Sequence, residues 1–266
     1  MRRSFRKAPI GKALEGFNIS LGPFFSIFIR RFENIFFQRR EKMKKNAISL
    51  TVMILVVSGV ISLQSQVYGQ SAGKVLMIPR EGYSNDLDLM LKMEVGVMTL
   101  LLKRAGFQVD VATTSGQPII GPIEKIEKVS RLGDIKLDNY VGVIMPCMSV
   151  GHHPGPPVSP EVVAIIKKAI ADGKPVAASL WSAIILAEAG VLKGKKYALS
   201  RDPLKMDANF KRIDLRFEGA IYSGPGVVQD GKIITSGGCP WAERAVGTQN
   251  RTVELTQTFV KAIGAK

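Results

Sequence analysis

Four side chains open the chemistry of this 266-residue chain: two cysteines, Cys147 and Cys239, and two histidines, His152 and His153. A thiolate is a nucleophile and a soft metal ligand; an imidazole is an acid–base group or a metal ligand. Two cysteines are too few to staple a disulfide-rich miniprotein. The histidines are neighbours in HHPGPP, and neighbours on an extended chain point to opposite sides, so they do not converge on one ion. No metal and no cofactor is expected. Ser179 and Ser182 flank Leu180, but a serine nucleophile needs a base, and neither serine lies in a G-x-S-x-G turn. Ser182 reads instead as a helix N-terminal cap or as pocket lining. Arg80, Glu81 and Tyr83 follow an apolar run and read as polar-ligand contacts or as a solvated loop.

Charge is distributed unevenly along the elements that must position these groups. The formal net charge is +15, which for one basic domain would suggest nucleic acid. Residues 1–45 hold twelve Lys/Arg against three Asp/Glu, so about +9 sits there; residues 46–69 are uncharged. The remaining 197 residues carry about +6, an ordinary surface charge. No glycine-rich phosphate loop and no interleaved basic–aromatic surface occurs, so no nucleic-acid partner is expected. From Met43 the chain reads as a secretory signal peptide. Lys44 and Lys45 precede an apolar stretch, Ala47 to Leu63, and Val67 and Gly69 stand three and one places before Gln70. Residues 1–42 then read as an upstream mis-start, 43–69 as the signal peptide, and 70–266 as an exported domain. The alternative keeps 1–42 as a cytoplasmic tail and 43–69 as a single-pass transmembrane anchor. Either way the domain lies outside the cytoplasm, and any membrane contact is through the N-terminal segment alone.

Residues 70–266 alternate strand and helix signals. Apolar runs at 74–79, 140–146 and 175–180 read as buried strands, and FQVDVAT at 107–113 alternates as a strand does. Helical periodicity covers 86–105, 160–171 and 181–189, and a long C-terminal helix is expected over 241–263, interrupted at Gly247. Residues 114–139 read as an irregular excursion, 196–200 as a strand, and 226–236 as a hairpin about Asp230-Gly231. Asn250-Arg251-Thr252 is a glycosylation sequon by pattern, weakened by its expected place within the last helix. Strands separated by helices imply an α/β fold: a mostly parallel sheet covered on both faces. Ligands in such sheets bind beyond the carboxyl ends of the strands. That points to 80–84, 147–157, 180–182 and 237–241.

The order KVLMIP, LLLKRAGFQVDVAT, YVGVIMPCMSVG, KKAIADGKPVAASLWSAIILAEAG and VVQDGKIITSGG resembles the ThiJ/PfpI family, over nearly all of 73–265. The resemblance implies a flavodoxin-like three-layer sandwich, commonly a homodimer. In active members a cysteine occupies the turn between the strand and helix here read as PVAASL and WSAIIL, where helix-terminal N–H groups activate it. That position is Leu180 here, which has no nucleophilic atom. Trp181 stands where many members have histidine, and Ser182 where a small residue is expected. A family glutamate twelve residues before the helix-closing glycine corresponds to Glu94. The resemblance implies that Glu94 is a pocket carboxyl with a raised pKa; the plainer reading is a solvent-facing helix residue.

In the family, a glycine pair after the third strand helps form the oxyanion site. Cys147 and Met148 stand there, and Cys239 falls in a turn bordering the same pocket. Three readings of the thiols stay open: buried and free, joined in a disulfide, or one of them a relocated reactive thiol. His152 is a possible ligand donor at the pocket mouth. The expected function is an exported member with a degenerate site, binding a small molecule or a protein partner without turnover. The alternative is a hydrolase or glyoxalase-like lyase that uses Glu94 with a cysteine or histidine.

Overall fold

The computed structural model describes residues 72–82, 86–147, 158–206 and 212–264. The signal-peptide segment, Tyr83, Met148, His152 and His153 lie outside the described residues. Among those described, no helix is long and apolar enough to cross a membrane.

The buried apolar runs become the strands of one sheet. Strand β1 is Lys74–Met77, β2 Gln108–Thr113, β3 Ile119–Ile120, β4 Lys125–Ile126 and β5 Ser130–Arg131. After these come β6 Gly142–Met145, β7 Val176–Ser179, β8 Lys196–Tyr197, β9 Ile221–Tyr222, β10 Val227–Asp230 and β11 Ile233–Ser236. Seven of them form the sheet, in the order β10-β11-β7-β6-β1-β2-β5. Every pairing in it is parallel except β10 with β11. That pair is the expected hairpin: Asp230 opposes Ile233, leaving Gly231-Lys232 as the turn, with Gly231 at φ +61°.

Alternation along these strands feeds two cores. Leu76, Ile78, Val143, Met145, Val176, Ala178 and Ile233 join one apolar cluster. Val75, Met77, Ile144, Ala177 and Ile234 join the other. A strand whose neighbouring side chains face opposite ways must be covered on both faces if all are apolar. Helix α1 spans Leu87–Met90, Leu91–Val95 and Gly96–Arg104, and α5 spans Thr252–Gly264; both supply the second cluster. Helices α2 (Pro160–Ala171) and α3 (Ala183–Glu188) supply the first. The result is the expected α/β fold of three layers with a mostly parallel central sheet.

Three expectations need correction. Residues 114–139 are not wholly irregular: β3 and β4 pair antiparallel, and β5 extends the sheet edge beside β2. The C-terminal helix is two helices, α4 (Pro240–Val246) and α5. Gly247 closes α4 at φ +71°, a conformation that glycine adopts without steric cost, and the chain restarts only at Thr252. The sequon therefore sits at the start of a helix rather than inside one, with Asn250 and Arg251 ahead of it and Thr252 its first residue. Asn250 Oδ1 accepts hydrogen bonds from the Thr252 N–H and hydroxyl.

The exit from β11 positions one of the two thiols. A Cβ on Gly237 would stand 2.7 Å from the Leu199 carbonyl carbon and oxygen. One on Gly238 would collide with the Gln249 carbonyl oxygen. Only a bare backbone passes through this gap, and it delivers Cys239 to the start of α4.

Candidate functional site

Strand β7 ends at Ser179, and the chain turns at once into a helical segment, Leu180–Ser182, that leads into α3. Leu180 makes this turn at φ +43°, the one non-glycine residue with positive φ among those described. A left-handed backbone costs a β-carbon residue roughly 1–2 kcal/mol. The cost is carried by a fully buried leucine. Such a turn points the first helical N–H groups into the space beyond the strand end. One of them, the Trp181 N–H, donates to Cys147 Sγ. Ser182 does not cap its helix as expected; its hydroxyl donates to the Pro146 carbonyl and ties the turn to the end of β6. Trp181 is buried as packing.

Glu94 approaches the same turn from α1. It lies in the π-helical turn Leu91–Val95, a local widening often found at functional sites. Its position, three residues after Leu91 and four before Met98, puts it on the apolar stripe of the helix, and it is 1% exposed. Ser179 Oγ donates to Glu94 Oε1 at 2.5 Å. The Cys147 backbone N–H donates to the same carboxyl. Burial pushes the Glu94 pKa up to about 7, against the lowering pull of these two donors and of the Arg80 charge.

The cysteines are buried thiols that no disulfide joins, so the disulfide expectation does not describe this structure. They meet: the Cys147 thiol is hydrogen-bonded to Cys239. Burial pushes Cys147 well above the ordinary thiol range, and its Cys239 and Glu94 neighbours add to this; the Trp181 N–H opposes them.

A narrow cleft opens here, lined by Arg80, Asp86, Met90, Glu94, Cys147, Pro240 and Trp241. Its volume is about 10 Å³, the space of roughly one water molecule. Arg80 is buried and pairs with Asp86 at 2.8 Å, while Glu81 accepts from the Ser115 N–H. Among the expected pocket residues, Glu94 and Cys147 line the cleft. Leu180, Trp181, Ser182 and Cys239 are buried around it without lining it. Sequence reasoning misses Asp86 and Met90, and reaches Pro240 and Trp241 only as part of the 237–241 region. It weighs Ser179 only as a nucleophile, whereas this serine holds Glu94. Among the described residues, no group of three or more His, Cys, Asp or Glu side chains could hold a metal ion.

Known proteins share this geometry's framework. The sequence model of the DJ-1/PfpI family matches residues 86–245. An uncharacterized protein of Methanocaldococcus jannaschii, MJ0967, is 29% identical over 196 residues, which are 73% of this chain and 89% of that one. Drosophila melanogaster DJ-1beta has a similar fold, with a TM-score of 0.52 at 23% identity over 73% of this chain and 91% of that one. So does a ThiJ/PfpI domain protein from Brachyspira murdochii, with a TM-score of 0.51 at 14% identity over 74% and 99% of the two chains.

The buried carboxyl has a measurable consequence for stability. Glu94 holds its proton up to about pH 7 when folded and releases it near 4.5 when unfolded. Its stabilising share is therefore complete below pH 4.5 and is lost as pH rises through 7. The loss is roughly 3 kcal/mol, at about 1.4 kcal/mol per pK unit. Glu94→Gln cannot ionise, so its urea midpoint should gain on the wild type's between pH 5 and pH 8. An unchanged difference between the two pH values would contradict a buried Glu94.

Proposed function

The chain belongs to the DJ-1/PfpI family, and on that premise we propose that it is an exported member whose elbow has lost its nucleophile and which binds a partner molecule without turning it over. The observation that carries this reading is Leu180. It occupies the strained turn between β7 and α3 where active relatives resembling this chain place a cysteine, and its buried side chain offers no reactive atom. A left-handed, fully buried leucine gains nothing locally from its conformation, so the turn reads as scaffold kept after its chemistry was lost. The cleft supports the same conclusion. It is narrow, with room for about one water, and Leu180 does not reach it.

The polar groups of the cleft suit recognition. Arg80 and Asp86 form a fixed ion pair at its edge, and Glu94 presents a carboxyl held by two donors. These would orient a small polar molecule; a protein partner seated over the rim would use Trp241 and the same charges. Association into a homodimer and export through the segment starting at Met43 belong to this proposal.

One observation favours a second reading. A carboxyl with pKa about 7 has the value an acid–base catalyst needs at neutral pH. In that case the chain would be a hydrolase or glyoxalase-like lyase working through Glu94.

Assays of the purified protein with methylglyoxal and with peptide amides separate the two. No turnover is expected. Turnover abolished by Glu94→Gln or Cys147→Ser would overturn the non-catalytic reading. Leu180→Cys tests the register: a thiol at this turn should oxidise readily in dilute peroxide, and an inert one would show that residue 180 is not the nucleophile position. Export has its own readout. N-terminal sequencing of the protein from cells should begin at Gln70; a membrane-bound product retaining residues 43–69 would contradict cleavage.

A further inference from the structure

Strands β6 and β11 flank β7 on either side. Met145 stands level with Ala178, and Ser236 with Ser179, so both outer strands end where β7 ends. Cys147 follows two residues past the end of β6. Cys239 follows three past the end of β11, through the glycine gap against the Leu199 and Gln249 backbones. Between them β7 turns away into its helix through Leu180. The two loops therefore close over the end of β7 from opposite sides, and their thiols meet there. These are the chain's only two cysteines, so a disulfide within the chain can form only between them.

Access to the two sulfurs is unequal. Cys147 lines the cleft, whereas Cys239 is fully buried and does not. We propose that Cys147 and Cys239 are a dithiol that a small hydroperoxide, entering through the cleft, converts to a disulfide. The chemistry balances. The Cys147 thiolate attacks one peroxide oxygen, the O–O bond breaks, and the departing hydroxide leaves as water with the thiol's proton. The resulting sulfenic acid is attacked at sulfur by Cys239, the S–S bond forms, and a second water leaves. Two thiols and one hydrogen peroxide give one disulfide and two waters. The cleft beside Cys147 is narrow, with the space of about one water, and so favours hydrogen peroxide over a bulkier low-molecular-weight disulfide.

The groups facing Cys147 set the rate. Only the thiolate reacts. Glu94 on α1 opposes it by charge, Cys239 at the start of α4 opposes it, and the Trp181 N–H favours it. Arg80 and Asp86, after β1, complete the charged surroundings as a mutual pair. Oxidation is therefore slow at neutral pH and speeds up as pH rises. Removing the Glu94 charge speeds it further, chiefly above pH 7, where that carboxyl is ionised.

The test is to treat the full chain with hydrogen peroxide while it remains folded by circular dichroism. Free thiols are then blocked in denaturant, and the peptides are mapped without reduction. Both thiols should disappear together. Peptides containing residues 147 and 239 should appear joined, short of two hydrogens, and separate on reduction. Cys239→Ser should accumulate a sulfenic acid at Cys147 that dimedone traps. Glu94→Gln should oxidise severalfold faster than wild type at pH 8.5, with a smaller gain at pH 6. Oxidised glutathione should act far more slowly than peroxide until the chain is denatured. Several results would overturn the proposal: thiols that stay reduced in the folded chain, oxidation of the two at independent rates, disulfides only between chains, or glutathione acting as fast as peroxide.

Discussion

A carboxyl group held inside a protein must be neutral or well provided with donors, because water solvates its charge far better than an apolar interior does. Glu94 meets this constraint at the centre of the fold. It projects from α1 on the second core's side and reaches the carboxyl ends of β6 and β7, where the Ser179 hydroxyl and the Cys147 N–H meet it. Both donors come from the ends of neighbouring parallel strands, Ser179 closing β7 and Cys147 two residues past β6. Parallel register and the π-helical turn in α1 thus both bear on where this carboxyl and its donors lie. Burial still outweighs the donors, which is why the group titrates near neutrality.

The turn at Leu180 follows directly on Ser179, the donor to Glu94. Its backbone is strained, with φ +43° on a β-carbon residue. The helical N–H of Trp181, just beyond the turn, donates to Cys147 Sγ. Beside this turn Cys147, Cys239 and Glu94 form a packed, buried cluster. Leu180 and the two thiols belong to the same apolar core.

Much of the fold was legible from short patterns. The apolar runs at β1, β6 and β7, the hairpin about Gly231 and helix α2 all follow from local periodicity or turn chemistry. Glu94 was legible as a matched family position, whereas the plainer reading placed it in solvent; the structure buries it. Other features depend on chain segments far apart in sequence. Ser179 and Glu94 are 85 residues apart, and nothing local to either predicts that they meet. The contact between Cys147 and Cys239 depends on two loops converging over a third strand. The π-helical turn leaves no mark in the apolar spacing, which suits an ordinary helix equally well. The break after α4 was half visible: Gly247 marked the place, but the four-residue restart depends on Asn250 holding Thr252.

The site stands or falls on Glu94 being enclosed and held between Ser179 and Cys147. The direct measurement is a carbon-13 NMR titration of the Glu94 side-chain carboxyl in the folded protein. The expected result is a single transition near pH 7, set by burial against two donors. A transition near the ordinary 4.5 would place this carboxyl in solvent and contradict its enclosure.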